Sequence, residues 1–262
     1  MGLDQLDSAV RRIVQSVTER LTAQGAHAVL LTGSHARGTA GPRSDIDLFV
    51  VGDGPDEAHE VIDERMVSIH WWTPDRARQR MSHPASAFVS VFAWRDATIL
   101  HDPLGVAAEL KAVAEAWTWE ALDREADAWA ADRLVGLSEY VSKLERALED
   151  GRCLDAAATR CELAVGLVEL AAVANRITSV SENGLWETVA ASGNGEWRAL
   201  LDRALGAGNE DLPTSVAALI ELFASLARAL QPTLQPAQRE VVAHALENLG
   251  ERLEPLPLSR SS

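Results

Sequence analysis

Strand patterns are confined to the first part of this chain, and helical patterns fill the rest. Short apolar runs typical of buried strands occur at residues 28–31, 46–51, 66–72 and 98–100. Helices are predicted at 3–24, from Pro74, at about 119–149, 154–177, 212–230 and 236–252, and as a shorter pair around 184–206. The pattern predicts an α+β fold, with a small mixed-sheet domain at 1–105 and an all-α helical bundle at 106–262.

The charge balance limits what the protein can bind. The chain has 24 Lys and Arg residues against 39 Asp and Glu residues, a net charge of −15. General binding of DNA or RNA needs a basic surface, so no nucleic-acid partner is predicted. Residues 106–262 carry most of the excess, with 14 basic and 25 acidic residues. Such a surface favours cations, either metal ions or a polycationic small molecule.

Nothing in the sequence indicates a membrane or an oxidising compartment. Every apolar stretch is interrupted before the roughly 18 residues that a membrane span needs. The start of the chain has acids at Asp4 and Asp7 and no apolar core, unlike a signal peptide. Cys153 and Cys161 have no second cysteine pair, which excludes a zinc site of the usual type and predicts buried thiols. A cytoplasmic location is therefore expected.

The most informative segment is Leu-Thr-Gly-Ser-His-Ala-Arg-Gly-Thr-Ala-Gly-Pro-Arg-Ser-Asp-Ile-Asp-Leu at residues 31–48. A buried strand ends at Gly33-Ser34, and a glycine-containing turn of this kind exposes backbone N–H groups that suit phosphate. Strand alternation puts Asp45 and Asp47 on one face. Adjacent carboxylates repel each other unless a cation lies between them, and Mg²⁺ bound together with substrate phosphates is the usual solution. A polar turn followed by an exposed Asp-x-Asp is the alternative interpretation.

Gly-Ser-x-Ala-Arg-Gly followed by Ser-Asp-Ile-Asp-Leu resembles the nucleotidyltransferases of the DNA polymerase β superfamily. The resemblance implies that Gly33 and Ser34 hold the triphosphate, and that Asp45 and Asp47 are catalytic ligands of two Mg²⁺ ions. Further candidates for nucleotide binding are Arg37, Arg43 and Ser44. The two arginines fit a solvated turn or a salt bridge equally well.

The sequence departs from the family at the third carboxylate. The family usually supplies this acid from a neighbouring strand, and the matching strand here is 65–72. Ser68 stands at the expected position, with His70 next on the same face, and the nearest acid is Glu64. The third site position is thus left to Ser68 or His70, although His70 also fits a structural histidine. The departure raises the alternative of a catalytically impaired nucleotide-binding homologue.

A second resemblance lies in the helical half. Ser-Glu-Tyr-Val-Ser-Lys-Leu at 138–144 is similar to the Glu-Tyr-x-x-Lys of kanamycin nucleotidyltransferases. The similarity implies that Glu139 is the general base and that Lys143 contacts the nucleotide phosphate. Their i, i+4 spacing also fits an ordinary surface ion pair. Lys143 is one of only two lysines in the chain, the other being Lys111.

The combined resemblance implies transfer of a nucleoside monophosphate from a magnesium-bound nucleoside triphosphate, ATP being favoured, to a hydroxyl of a small molecule. An aminoglycoside antibiotic is the favoured acceptor because it is polycationic. Related proteins often form homodimers, so a homodimer is also expected. The alternative activity is adenylylation of a protein partner, as in the antitoxin-type nucleotidyltransferases. Those proteins are usually one short domain, whereas this chain has an additional helical half.

Overall fold

Contacts in the computed structural model divide the chain into two units, Met1–Ala121 and Leu122–Ser262, called unit 1 and unit 2. The structure describes residues 5–179, 181, 183–193 and 195–247. The contacts place the division between residues 121 and 122, whereas the composition changes near residue 105. The two positions differ because the helix at Val106–Ala116 belongs to unit 1 by its contacts. Its Lys111 donates hydrogen bonds to the carbonyl oxygens of Trp94, Arg95 and Ala97, at and just after the end of the preceding helix.

Unit 1 combines one sheet with five helices. The strands are β1 (Ala28–Thr32), β2 (Ile46–Val51), β3 (Glu57–Ile62), β4 (Arg65–Trp72) and β5 (Thr98–His101). The helices are α1 (Ser8–Ala23), α2 (Gly33–Arg37), α3 (Pro74–Met81), α4 (Pro84–Asp96) and α5 (Val106–Ala116), with a 3-10 turn at Trp119–Leu122. The strand order is β3-β4-β2-β1-β5. Only β2 and β4 pair in parallel among these strands, so the sheet is mixed and the predicted α+β class is confirmed.

The core of unit 1 lies between α1 and one face of the sheet. The helix begins after Asp7, whose side chain accepts a hydrogen bond from the Ala9 N–H. The buried face of α1 packs against the inward residues of β1, β2 and β4. This core includes Val10, Val14 and Leu21 of the helix and Val29, Ile46, Leu48, Val67 and Ile69 of the strands. Burying this face against α1 directs the alternate residues of each strand to the opposite face of the sheet, where the polar residues of the candidate site lie.

Strand β3 is not predicted from the sequence. It forms a hairpin with β4 through Asp63 and Glu64, which have φ values of +49° and +63°. Two-residue turns with positive φ usually carry Asn-Gly or Asp-Gly, so Asp-Glu gives no recognisable signal. The strand alternates exposed and half-buried residues, and it lies at the edge of the sheet. It therefore lacks the continuous apolar run that marked the other strands.

Unit 2 is helical throughout its described part. Its helices are α6 (Asp123–Glu149), α7 (Cys153–Ala174), α8 (Leu185–Ser192), α9 (Gly195–Leu205), α10 (Leu212–Leu230) and α11 (Pro236–Glu247), with a 3-10 turn at Gln231–Thr233. The helix predicted at 236–252 is observed to 247, and its remainder lies outside the described residues. Arg176 ties the end of α7 to the start of α6 through ion pairs with Asp123 and Asp127, at 2.8 and 2.7 Å.

Two features of unit 2 bear on the sequence predictions. By length and composition, residues 212–233 could cross a membrane. However, 61% of their apolar 18-residue stretch is buried inside the protein, as in a core helix. The prediction of buried thiols is wrong, since Cys153 and Cys161 are both exposed. Cys153 is the first residue of α7, and Cys161 lies outside the buried stripe that includes Leu163, Leu167 and Leu170.

Candidate functional site

The polar residues of unit 1 form a row across the sheet, on the face opposite α1. Asp47 of β2 is paired with Thr32 of β1 on one side and with Ser68 of β4 on the other. Ser68 is in turn paired with His59 of β3. Thr32 is fixed by a hydrogen bond from its hydroxyl to the Ala93 carbonyl oxygen, at 3.2 Å. Four neighbouring strands therefore each contribute one polar side chain to the same line.

Gly33 is the residue that lets Asp47 occupy this position. The chain turns from β1 into α2 at Gly33, whose φ is +67°. Residues other than glycine rarely adopt this backbone conformation. A Cβ at this position would lie 2.0 Å from Asp47 Oδ2 and 2.9 Å from its Cγ. The turn and the carboxylate are therefore in direct contact, and the space that a larger residue would fill is taken by Asp47.

The negative charge of Asp45 lies close enough to Asp47 to affect the pKa of Asp47. The pKa of Asp47 is raised to about 6, first by its desolvation and second by the negative charge of Asp45, while Arg37 acts in the opposite direction. Asp45 is exposed and Asp47 is half-buried. A carboxyl with this pKa is held in an environment that disfavours its negative charge, which a bound cation would relieve.

The remaining turn residues surround the two aspartates without all facing them. Arg37 is half-buried near Asp47, whereas Arg43 is exposed. Ser34 is half-buried on α2. Ser44 closes the turn, because its hydroxyl accepts a hydrogen bond from the Gly41 N–H at 2.9 Å. The structure therefore places Arg37 near Asp47, and gives Ser44 a local structural contact.

The aspartate pair fits Mg²⁺ chemically. Mg²⁺ is commonly bound through one or two carboxylates, with water and substrate phosphates completing its coordination. Asp45 and Asp47 supply the two carboxylates, and the raised pKa of Asp47 reflects its desolvation and the nearby charge of Asp45, both of which a bound cation would offset. Among the described residues no group of three or more His, Cys, Asp or Glu side chains could hold an ion without such help. The arrangement suits a metal that arrives with a phosphorylated substrate.

Residues 10–85 match the sequence family described as the nucleotidyltransferase domain, a segment that runs from α1 to the start of α4 and includes the whole row. This match supports the assignment of unit 1 to the nucleotidyltransferases of the DNA polymerase β superfamily. The family resemblance predicted from residues 31–48 is thereby confirmed. No curated protein matches the chain at a significant level.

The wider architecture also has a solved counterpart. The crystal structure of a nucleotidyltransferase-like protein from Exiguobacterium sibiricum superimposes with a TM-score of 0.52 at 15% sequence identity. The alignment covers 94% of this chain and 81% of that one, so the similarity extends through both units. At this identity the match shows the fold alone.

Strand β4 of the nucleotidyltransferase domain has serine where the family usually supplies a third acid. Ser68 is 6% exposed and lies in register with Asp47, as the sequence predicted. Its hydroxyl is 3.2 Å from His59 Nδ1, and His59 Nε2 is 3.1 Å from Glu57 Oε1. His59 and Glu57 are not among the site residues predicted from the sequence because their strand, β3, is not predicted either. The period-two pattern of Glu57, His59 and Val61 was the available signal.

His70 lies one pair further along β4, beside Phe49 and Glu57. Its Nδ1 is 3.8 Å from Glu57 Oε1, and its ring meets Phe49 edge to face with centroids 6.1 Å apart. Phe49 also contacts Trp72 and Trp94, at centroid distances of 5.4 and 5.1 Å. His70 is therefore set beside an aromatic cluster, and Ser68 is the closer partner of Asp47 in the pairing register.

Glu139 and Lys143 of unit 2 form an ion pair on α6, with Lys143 Nζ 2.8 Å from Glu139 Oε1. The hydrogen bond and the positive charge of Lys143 lower the pKa of Glu139. Lys143 also lines a surface cavity of about 530 Å³, together with Arg146 and Arg152 and the acids Asp150, Asp155 and Glu162. The pairing expected from i, i+4 spacing is thus present, and the cavity adds two further cations next to Lys143.

Proposed function

We propose that this protein transfers a nucleoside monophosphate from a magnesium-bound nucleoside triphosphate, ATP being favoured, to a hydroxyl of a small molecule, releasing pyrophosphate. The observation that carries the proposal is the contact between the Gly33 turn and Asp47, next to Asp45. It places a turn of the kind that binds phosphate directly beside two carboxylates, whose negative charges a bound cation would neutralise. The match of residues 10–85 to the nucleotidyltransferase domain supports the same chemistry.

In this proposal the aspartate pair and the residues of the turn each have a defined task. Asp45 and Asp47 hold Mg²⁺, which supplies positive charge at the reacting phosphate. Backbone N–H groups at Gly33 and Ser34 bind the triphosphate and keep the α-phosphorus in line with the attacking hydroxyl. Arg37 lies on the same side and offsets negative charge. Arg43 and Ser44 are proposed to contact the nucleotide from the turn.

The acceptor is proposed to be a polycationic small molecule such as an aminoglycoside. The support is electrostatic, because residues 106–262 contain 14 basic and 25 acidic residues. An acidic surface raises the local concentration of a cationic substrate and repels nucleic acid. A cytoplasmic homodimer is proposed for the functional state, in keeping with the predicted relationship to antibiotic nucleotidyltransferases.

The resemblance in α6 proposes Glu139 as general base and Lys143 as a contact of the nucleotide phosphate. On this assignment Glu139→Gln lowers turnover by about 10²–10⁴-fold, the usual contribution of a general base, with nucleotide affinity unchanged. Lys143→Met weakens nucleotide binding instead. Pre-steady-state turnover and calorimetric binding of a non-hydrolysable ATP analogue separate the two effects. Glu149→Gln, at an exposed acid on the same helix, is the matched control.

The test of the proposed function is a pyrophosphate-release screen of the full chain. ATP, GTP, CTP and UTP are each combined with Mg²⁺ or Mn²⁺ and with aminoglycosides, lincosamides or candidate proteins as acceptors. Release that needs the metal, one nucleotide and one small-molecule acceptor supports the proposal. Labelling of a protein acceptor supports the alternative of protein adenylylation. Nucleotide binding by calorimetry without release in any combination supports an impaired nucleotide-binding homologue and contradicts the proposal.

A further inference from the structure

The missing third carboxylate leaves the nucleotidyl transfer proposed above without a proton acceptor in unit 1. Ser68 takes the place of this acid next to Asp47, and serine alone is no base at neutral pH. The edge strand β3 adds two side chains behind it that the sequence motif does not include. Neither Ser68 nor His59 has a role in the function proposed above.

Glu57, His59 and Ser68 form a connected chain of hydrogen-bonding groups. Glu57 Oε1 lies 3.1 Å from His59 Nε2, and His59 Nδ1 lies 3.2 Å from Ser68 Oγ. A neutral imidazole has one N–H donor and one acceptor nitrogen. Because a carboxylate can only accept, the contact with Glu57 favours a proton on Nε2, and Nδ1 can then accept from the Ser68 hydroxyl. The lone pairs of Ser68 Oγ then remain available to a third group.

Burial divides this chain into an enclosed end and an open end. Ser68 is 6% exposed, while the side chains of His59 and Glu57 are 53% and 52% exposed. The enclosed end lies in the strand next to Asp47, where the family places the acid that acts on the attacking hydroxyl. The open end is in contact with water, so a proton that reaches His59 can leave for solvent.

We propose that Ser68 and His59 replace the third carboxylate as a proton relay, with Glu57 as the positioning residue. This inference rests on the proposed function. The acceptor hydroxyl donates its hydrogen bond to Ser68 Oγ and attacks the α-phosphorus. The new O–P bond forms as the bond from the α-phosphorus to the bridging oxygen breaks, and pyrophosphate leaves with that electron pair. The proton of the acceptor passes to Ser68 Oγ as the Ser68 proton passes to His59 Nδ1.

Removing the relay is expected to slow the chemical step without weakening nucleotide binding. His59→Ala lowers turnover by about 10²–10⁴-fold with little change in nucleotide affinity. Ser68→Ala has a similar effect, and the double variant Ser68→Ala/His59→Ala is no worse than either single change, because both remove one pathway. His27→Ala, at an exposed histidine of unit 1 outside the row, is the matched control and leaves turnover unchanged.

Chemical rescue distinguishes proton transfer from a structural role. His59 is half exposed, so added imidazole can reach the space left in His59→Ala. Partial recovery of turnover with imidazole, absent in Ser68→Ala, is the expected result. A protein that had merely lost a structural contact would gain nothing from imidazole.

The hydrogen-bond order can be read without any turnover. Nitrogen-detected NMR of the histidine side chains in the full chain at pH 8 is expected to show His59 protonated on Nε2, with a Nδ1 signal that shifts in Ser68→Ala. Protonation on Nδ1 overturns the relay. So does full pyrophosphate release in His59→Ala when Asp45→Asn has lost it, and this outcome leaves the proposed function standing. Absence of release from the unmodified protein with every acceptor overturns both.

Discussion

Replacing Asp47 with asparagine is expected to abolish turnover and, in the absence of metal, to make the protein more stable. Asparagine keeps the shape of the side chain and removes the charge that holds Mg²⁺. A bound metal contributes several kcal/mol to the transition state, and about 1.4 kcal/mol corresponds to a tenfold change, so a loss of about 10³-fold or more follows. Stabilisation of the fold by magnesium and a non-hydrolysable nucleotide, measured by thermal denaturation, should disappear with it.

The gain in stability follows from the raised pKa of Asp47, about 6 against the ordinary value of 3.8. A carboxyl whose pKa is higher in the folded state opposes folding when it is ionised, fully so above pH 6 and not at all well below pH 4. Asp47→Asn should therefore raise the free energy of unfolding by about 1–3 kcal/mol at pH 8 in EDTA. The difference from the unmodified protein should vanish toward pH 4, as urea denaturation can show. An equal difference at both pH values would contradict this cause.

Replacing Gly33 with alanine is expected to dismantle the site from the other side. The positive φ costs an alanine about 1–2 kcal/mol, and the added Cβ would come within 2.0 Å of Asp47 Oδ2. The end of the Asp47 side chain can rotate away, so the protein should still fold, but the carboxylate then leaves the metal position. We expect turnover to fall to the level of Asp47→Asn and the free energy of unfolding to fall by about 1–3 kcal/mol.

Gly105 offers a matched control for this substitution. Its φ of +74° is close to the +67° of Gly33, but a Cβ added there meets nothing within 4 Å. Gly105→Ala should therefore lower the free energy of unfolding by the same backbone strain and keep full turnover. Equal activity losses in the two variants would show that backbone strain, and not the contact with Asp47, is responsible. Unchanged turnover in Gly33→Ala would remove the basis for a site at this turn.

The central part of the site could be predicted because it depends on local chemistry. Asp45 and Asp47 flank Ile46, which is fully buried, so strand alternation decides their face. Gly33 is required where the chain turns under a side chain, and the motif records this requirement. The same reasoning correctly put Ser68 beside Asp47, since the apolar residues Val67 and Ile69 fix the register of β4. Each of these positions is determined by burial within a few residues.

The parts that could not be predicted depend on pairing over distance. Strand β3 has few buried residues and a hairpin turn without glycine, so nothing local distinguishes it from a loop. The position of His59 next to Ser68 depends on the pairing of β3 with β4, which the residues around His59 do not indicate. Helix α5 was missed for a related reason, since five of its eleven residues are alanine and it is held through the side chain of Lys111. In unit 2 the strong apolar periodicity of α10 gave bounds that match the observed helix.

The attachment of Lys111 has a practical consequence for labelling the protein. All three ammonium hydrogens of Lys111 have carbonyl partners, at Trp94, Arg95 and Ala97, so reaction at its nitrogen would require these bonds to be given up. The chain has no lysine other than Lys111 and Lys143. Of the two lysines, an amine-directed fluorophore should consequently react at Lys143. A probe at Lys143 would sit on the cavity of α6 and α7 and report on whatever enters it.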